Sequence, residues 1–250
     1  MPARKKTNVR GQLAEYRSKR DFGKTAEPSG DFGHAAKKTS AKKLEFVIQK
    51  HAARNLHFDL RLELDGVMKS WAVPKGPSAD PATKRLAMQV EDHPVEYNEF
   101  EGTIPEGEYG GGTVMLWDHG WYAPESGDGD EAVRAGIAKG DLKVVFHGKR
   151  MKGSWVLVRT RGFGGGSSSK PSWLLIKHRD KYVEPAEALV EKYTTSVVSK
   201  RTMEQIGGAK KPKVWHSNRS TDDGSAPQAT KKAKSLGEVR RAKAKAAKAE

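Results

Sequence analysis

The chain has 250 residues, 36% of them hydrophobic, and carries 46 Lys and Arg against 31 Asp and Glu, a formal net charge of +15. That length admits one large domain or two small ones, and the low apolar fraction predicts that part of the chain stays outside any folded core. The absence of cysteine excludes disulfides and thiolate metal sites. No stretch has the apolar length of a membrane span or of a secretory leader, which predicts a cytoplasmic, nucleoid-associated protein.

The charge is unevenly spread. Residues 1–43 hold 12 basic and 4 acidic groups, residues 209–250 the same, and the middle of the chain 22 basic and 23 acidic. Two basic ends on a near-neutral body suit a polyanion bound with release of counterions. Lys5, Lys6 and Arg10 at one end, and Lys231, Lys232, Arg240 and Arg241 at the other, are the candidate nucleic-acid contacts; the competing reading is that Lys- and Ala-rich ends only keep the protein soluble. The expected organisation is a basic arm over 1–19, a folded domain over 20–200 and a basic tail over 201–250.

In chain order, residues 13–22 predict a short helix that ends near Arg20 and Asp21, with Pro28, Ser29 and Gly30 breaking the chain after Glu27. A polar linker over 30–43 follows. Segments 44–51, 57–64, 67–73, 86–91, 112–117, 142–146, 153–160 and 172–178 then read as strands, punctuated by Gly, Pro and Asp. Helices are predicted over 130–139, with acids at the start and Gly140 at the stop, and over 184–192, with Pro185 in the first turn. Short, closely spaced strands favour a mainly β fold, a small closed barrel with a few flanking helices, over a doubly wound sheet. Gly110 to Gly112 lack the GK[ST] of a phosphate loop and read as a tight turn. The 163–169 run FGGGSSS reads as a flexible loop, and the WDHGW around His119 as a turn. Trp71, Trp117, Trp121, Trp155 and Trp173 are interspersed with strand apolars and are expected in the core.

Chemistry concentrates in 46–63, FVIQKHAARNLHFDLRLE. In its second half His57, Asp59 and Arg61 alternate with Phe58, Leu60 and Leu62, so a strand puts the three polar groups on one face. Gln49 and His51 share a parity in the first half. A hairpin through 52–56 brings His51 towards His57 and Asp59. Two imidazoles and a carboxylate suit a divalent cation such as manganese or zinc, and an adjacent guanidinium suits a phosphate. The same alternation also describes any half-solvated strand, with Asp59 and Arg61 as a surface ion pair.

QKHAARNLHFDLRLE, then WAVPKGPS at 71–78, EDHPVEY at 91–97 and IPEGEYGGGTV at 104–114 follow one another in an order that resembles the 3'-phosphoesterase domain of bacterial DNA ligase D. The resemblance is collinear from about Arg20 to about Tyr182. It implies a metal held by His51, His57 and Asp59, manganese first with zinc or cobalt as alternatives. It implies phosphate contacts from Arg61, His93 and Tyr97, and further active-site roles for Gln49, Arg85, Glu91, Arg20, Asp21 and Glu27. His93 is open between general acid and oxyanion donor. The implied activity removes a 3'-terminal ribonucleoside and then a 3'-phosphate from nucleic acid, leaving 3'-OH, with the end-binding protein Ku and a separate ligase or polymerase as partners of a stand-alone enzyme. Two other classes compete: a non-haem iron oxygenase using His57, Asp59 and His93 as its triad, and a non-catalytic DNA-binding barrel.

Overall fold

Apolar–polar alternation and short turns set the strands, and the computed structural model describes them within residues 8–31, 43–160 and 171–208. β1 (Leu44–Ala52) and β2 (Leu56–Leu64) form the expected hairpin, with His51 opposite His57 and Gln49 opposite Asp59. β2 turns into β3 (Val67–Val73) through Asp65 and Gly66, both at positive φ (55° and 84°). That is the backbone a two-residue hairpin with right-handed strand twist needs, and Asp-Gly is the pair that adopts it. β4 (Lys84–Pro94), β5 (Gly102–Ile104), β6 (Gly112–Pro124), β7 (Asp141–Gly148), β8 (Lys152–Arg159) and β9 (Ser172–Lys177) complete one antiparallel sheet, ordered β1-β2-β3-β4-β9-β8-β7-β6-β5. Pairing of β1 with β6 closes eight strands into a barrel and leaves β5 as a short flap on β6.

The helices are short. α1 (Val9–Gln12) and α2 (Ala14–Ser18) replace the single helix expected over 13–22; the chain reorients at Leu13, which is buried with Tyr16. A 3-10 turn spans Val95–Glu99, and α3 (Gly129–Lys139) stops at Gly140 in the left-handed conformation (φ 83°). α4 (Ala188–Lys192) is shorter than the expected 184–192, and α5 (Met203–Gly207) begins on a Thr202–Gln205 capping box. No helix among the described residues is long and apolar enough to cross a membrane.

The barrel is filled by Trp71, Trp117, Trp155 and Trp173 with Phe46, Phe146, Ile48, Leu60 and Leu62. Each fully buried Leu, Ile or Phe contributes about 2 kcal/mol relative to exposure. Trp121 departs from the expected core: it lies partly exposed on the outside, stacked on His147 at 3.6 Å. The turn expected at WDHGW is strand instead. A bulge opposite Ile48–Gln49 resets the register, so Asp118 to Tyr122 continue along β1. Gly120 permits the close approach of β7 there, since a Cβ would stand 2.3 Å from the His147 carbonyl. The 163–169 loop, Trp215 and the rest of 209–250 lie outside the described residues, whereas 201–208, expected in the tail, carry α5 with Ile206 packed in the core.

The outer face of β1 to β4 is covered as well. α2, residues 20–31, the 3-10 turn and Phe100 lie over it, around two small apolar clusters, Tyr16–Tyr97–Phe100–Ile104–Val114 and Val47–Met68–Val95–Leu116. The polar residues of β1 and β2 point into this covered layer.

Candidate active site

Period two along β2 places Asp59 and Arg61 on one face with His57 beside them. The facing register of β1 adds Gln49 and His51. Unlike a half-solvated strand, this face is buried: Gln49, His51, Asp59 and Arg61 are 0%, 6%, 6% and 3% exposed. His51 Nδ1 lies 3.7 Å from Asp59 Oδ2, and His57 Nε2 lies 3.6 Å from Asp59 Oδ1. The three candidate ligand atoms fall within 4.8 Å of one another.

Backbone carbonyls orient both rings. His51 Nε2–H donates to Gly110 O at 2.8 Å, and His57 Nδ1–H donates to Asn55 O at 2.9 Å. Each hydrogen bond selects the tautomer whose other nitrogen, bare of a proton, faces Asp59, as metal-binding histidines require. Two such nitrogens and one carboxylate fit a divalent metal of the manganese, zinc or cobalt type. Burial draws the Asp59 carboxyl upwards, but the Arg61 guanidinium beside it outweighs that and holds it at about 2.

Arg61 is the hub of the layer. Its Nη2 donates to Asp59 Oδ2 at 2.9 Å, its Nε to Gln49 Oε1 at 2.8 Å and its Nη1 to Ser70 Oγ at 3.0 Å. Gln49 in turn donates to the carbonyls of Tyr97 and Phe100 (2.9 and 3.0 Å), which fixes its amide and so the guanidinium. The Arg61 guanidinium also lies 4.8 Å from the centre of the Tyr97 ring.

Behind it, Arg20 is held by Glu27 Oε1 (2.9 Å) and stacks on Tyr16 at 3.8 Å, while its Nη2 donates to His93 Nε2 at 3.3 Å. His93 Nδ1–H donates to Glu91 O at 2.9 Å. Burial, then Arg61 and Arg20, hold the His93 imidazolium pKa well below its ordinary value, so the ring is neutral and its Nε2 is an acceptor. Glu91 takes Lys19 at 3.1 Å and Arg20 Nη1 at 3.5 Å. The Tyr97 hydroxyl donates to Glu27 Oε1 at 3.0 Å, and burial followed by the Glu27 charge keeps it protonated.

Ten of the twelve residues singled out for metal or catalytic roles therefore meet in one connected layer: Arg20, Glu27, Gln49, His51, His57, Asp59, Arg61, Glu91, His93 and Tyr97. The other two have different neighbours. Arg85 pairs with Glu187 at 2.6 Å and with the Ala186 carbonyl, and Asp21 is an exposed residue that binds Gly23 N and Lys24. The triad expected for an iron oxygenase, His57, Asp59 and His93, is not the group that forms: His51 rather than His93 joins His57 and Asp59. Of the nucleic-acid candidates, Arg10 is exposed on α1; Lys5, Lys6, Lys231, Lys232, Arg240 and Arg241 lie outside the described residues.

The sequence reading missed Ser70, Tyr16, Lys19 and Tyr109. Ser70 was signalled only by its register opposite Arg61. Tyr16 and Arg20, four apart, share the face that four-residue helical spacing aligns. Tyr109 is 43% exposed, with Lys19 and Arg20 cations 5.0 and 5.2 Å from its ring centre.

Residues 49–159 match the family model described as the DNA Ligase D 3'-phosphoesterase domain. The chain is 44% identical over 219 residues to the multifunctional non-homologous end joining protein LigD of Pseudomonas aeruginosa, an alignment covering 86% of this chain and 24% of that protein. It is 44% identical over 154 residues to the LigD of Mycobacterium tuberculosis (62% of this chain, 19% of the relative). Against the LigD of Mycolicibacterium smegmatis it is 40% identical over 174 residues (69% and 21%). The chain thus spans about a quarter of the first relative's length and about a fifth of the other two. Residues 49–159 belong to the DNA ligase D 3'-phosphoesterase domain family.

Proposed function

We propose that this chain is a metal-dependent phosphoesterase that heals 3' ends of nucleic acid in the end-joining repair of DNA. It removes a 3'-terminal ribonucleoside and then the remaining 3'-phosphate, leaving 3'-OH. One observation carries the reading. The candidate ligands His51, His57 and Asp59 adjoin Arg61, and through Gln49 and Tyr97 they connect to Arg20, Glu27 and His93. A metal site is thereby set against a buried cationic and proton-handling layer, the combination that phosphoryl transfer calls on.

His51, His57 and Asp59 would hold the metal, manganese in our reading, and when bound it polarises a phosphoryl oxygen or lowers the pKa of water. Arg61 keeps Asp59 ionised and places positive charge beside the ligands, where it meets an anionic phosphate. Arg20, poised on His93, adds a second guanidinium. His93, neutral and with Nδ1–H committed to Glu91 O, offers Nε2 as a proton acceptor. Without a proton on Nε2 the ring does not serve as the acid towards a leaving alkoxide; Nε2 accepts from Arg20 Nη2 and so helps hold that guanidinium towards the phosphate. Glu27 holds Arg20 and the Tyr97 hydroxyl in place. The relatives' printed names speak of non-homologous end joining, which supports DNA ends as the substrate, with Ku and a ligase or polymerase as proposed partners.

The test is a primer–template duplex whose primer ends in one ribonucleotide, incubated with manganese and resolved at single-nucleotide length. Loss of the terminal nucleoside followed by the 3'-phosphate is expected, while an all-DNA 3'-OH primer stays intact. Processive shortening of the all-DNA primer would make the enzyme an exonuclease and sink the reading.

A further inference from the structure

A second cationic cavity, of about 220 Å³, opens between the β7–β8 turn and the segment 182–193. Lys149, Arg150, Lys152 and Lys192 line it against one carboxylate, Glu184, which Lys192 meets at 3.7 Å. Residues 44–208 of the sequence are close to neutral, with 22 basic and 23 acidic residues; four cations around one small cavity is a local concentration of charge. Lys149 and Lys152 have no ion-pair partner among the described residues.

Arg150 is built into place. The buried Asp118 carboxylate accepts the backbone N–H groups of Lys149, Arg150 and Met151 (2.9, 3.2 and 2.7 Å) and so pins the turn. The guanidinium is stacked 4.7 Å from the Tyr193 ring centre and 5.2 Å from that of Trp117, and Nη2 donates to Thr195 O at 2.6 Å. Its Nη1 is buried with no hydrogen-bond partner. The fixed guanidinium places positive charge at the cavity wall, where an anion meets it by charge rather than through the enclosed Nη1.

We infer that the Arg150 cavity is a second phosphate site, separate from the His-His-Asp cluster, which grips a backbone phosphate of the bound nucleic-acid strand. The cavity is below the roughly 300–1,000 Å³ of sites for drug-sized molecules, so it suits a phosphoryl group rather than a whole nucleoside. Four cations favour a multiply ionised phosphate over a single carboxylate. The position supports a strand as its source. α4 separates the cavity, to which it gives Leu189 and Lys192, from a cleft where Lys50 and Lys75 stand with Leu56, Phe58 and the carboxylates Glu187 and Glu191, and to which it gives Val190 and Glu191. Leu56 and Phe58 adjoin the candidate ligand His57 in β2 with their side chains on its other face, so a strand ending at the metal site would round the exposed Leu56 end of β2 to reach the cleft and α4. This assignment of the strand's end rests on the phosphoesterase reading; the phosphate site itself does not.

The experiment uses metal-free full-length protein, so that it is read independently of turnover. Inorganic phosphate, and separately a 24-base-pair duplex, are titrated while the Arg150 Nε–H signal is followed by NMR. Duplex affinity is measured across salt for the parent, for Arg150→Gln and for the double variant Lys149→Glu/Lys152→Glu, whose exposed positions leave the fold intact. Phosphate is expected to move the Arg150 signal, and the double variant to bind duplex about tenfold more weakly, with a salt slope reduced by about two. An Arg150 signal unmoved by either probe, with duplex affinity unchanged in the variants, overturns the site. A signal moved by phosphate but not by duplex overturns its assignment to a nucleic-acid strand and makes it a site for free phosphate. Duplex binding through Arg150 in a protein that leaves the ribonucleotide-ended primer untouched would sink the phosphoesterase reading alone.

Discussion

At the scale of single residues, burial changes what substitutions do. Asp59 belongs to a polar face, yet that face is covered, and the carboxylate neutralises a guanidinium that is 3% exposed. Asp59→Ala should abolish manganese binding in calorimetric titration and also destabilise the protein by about 3 kcal/mol, because a buried charge loses its partner. Asp59→Asn keeps the shape and should cost less stability while still losing the metal. Unchanged metal affinity in both variants would remove Asp59 from the ligand set. Arg61→Ala should leave metal content near normal and cut turnover by two orders of magnitude or more, on the order of a lost charge-stabilising donor. Metal lost in parallel with turnover would mean that Arg61 acts only by orienting Asp59.

His93 supplies a pH signature. Unfolded, the imidazole titrates at its ordinary 6.5; folded, burial with Arg61 and Arg20 holds it well below that. Between the two values the unfolded chain binds the extra proton, so this contribution to stability is full above pH 6.5 and is lost as pH falls towards the folded value. Asp59 acts likewise in a lower window, from 3.8 down to about 2. The melting temperature of metal-free protein should therefore drop between pH 6.5 and 5, and His93→Gln should flatten that drop. An unaltered profile in the variant would place the titrating group elsewhere.

At the scale of elements, α1 and α2 are part of the site's wall. Leu13 and Tyr16 are buried, Arg20 stacks on Tyr16, and Lys19 reaches Glu91. Deletion of residues 1–19 should thus do more than weaken DNA binding. It should uncover Glu91 and free Arg20, lowering turnover at saturating substrate, with the barrel's β signature in circular dichroism retained. Turnover equal to the parent's would make the two helices a mere arm. The strands and the 52–56 hairpin were legible because their alternation and their Gly, Pro and Asp punctuation are local. The extension of β6 through His119 was not, because it depends on a bulge opposite Ile48–Gln49 and on a glycine that admits β7. Both are contacts between distant segments.

At the scale of the whole molecule, excess positive charge sits at the two ends of the chain rather than on the barrel. Removing residues 209–250 should weaken duplex binding and flatten its salt dependence, with turnover at saturating substrate little changed. An identical salt slope in the shortened protein would reduce the tail to a solubiliser. The barrel accounts for how the candidate site is assembled: closure of β1 on β6 carries the β5–β6 loop to the hairpin, where Gly110 O receives His51 Nε2–H.

By itself the sequence determined the strand pattern, the β-barrel class, the shared face of His57, Asp59 and Arg61, and the family. These rest on period two, on local turn chemistry and on residue order, all of which one dimension preserves. Only the tertiary structure decided that this face is buried and that carbonyls of Asn55 and Gly110 select the histidine tautomers. It alone decided that His93 Nε2 meets Arg20, that Arg85 faces Glu187, and that Arg150 stands over Tyr193 with an idle nitrogen. Apart from the local Asn55–His57 contact, those outcomes are contacts between segments far apart in the chain, and burial and electrostatic environment exist only once such segments have packed.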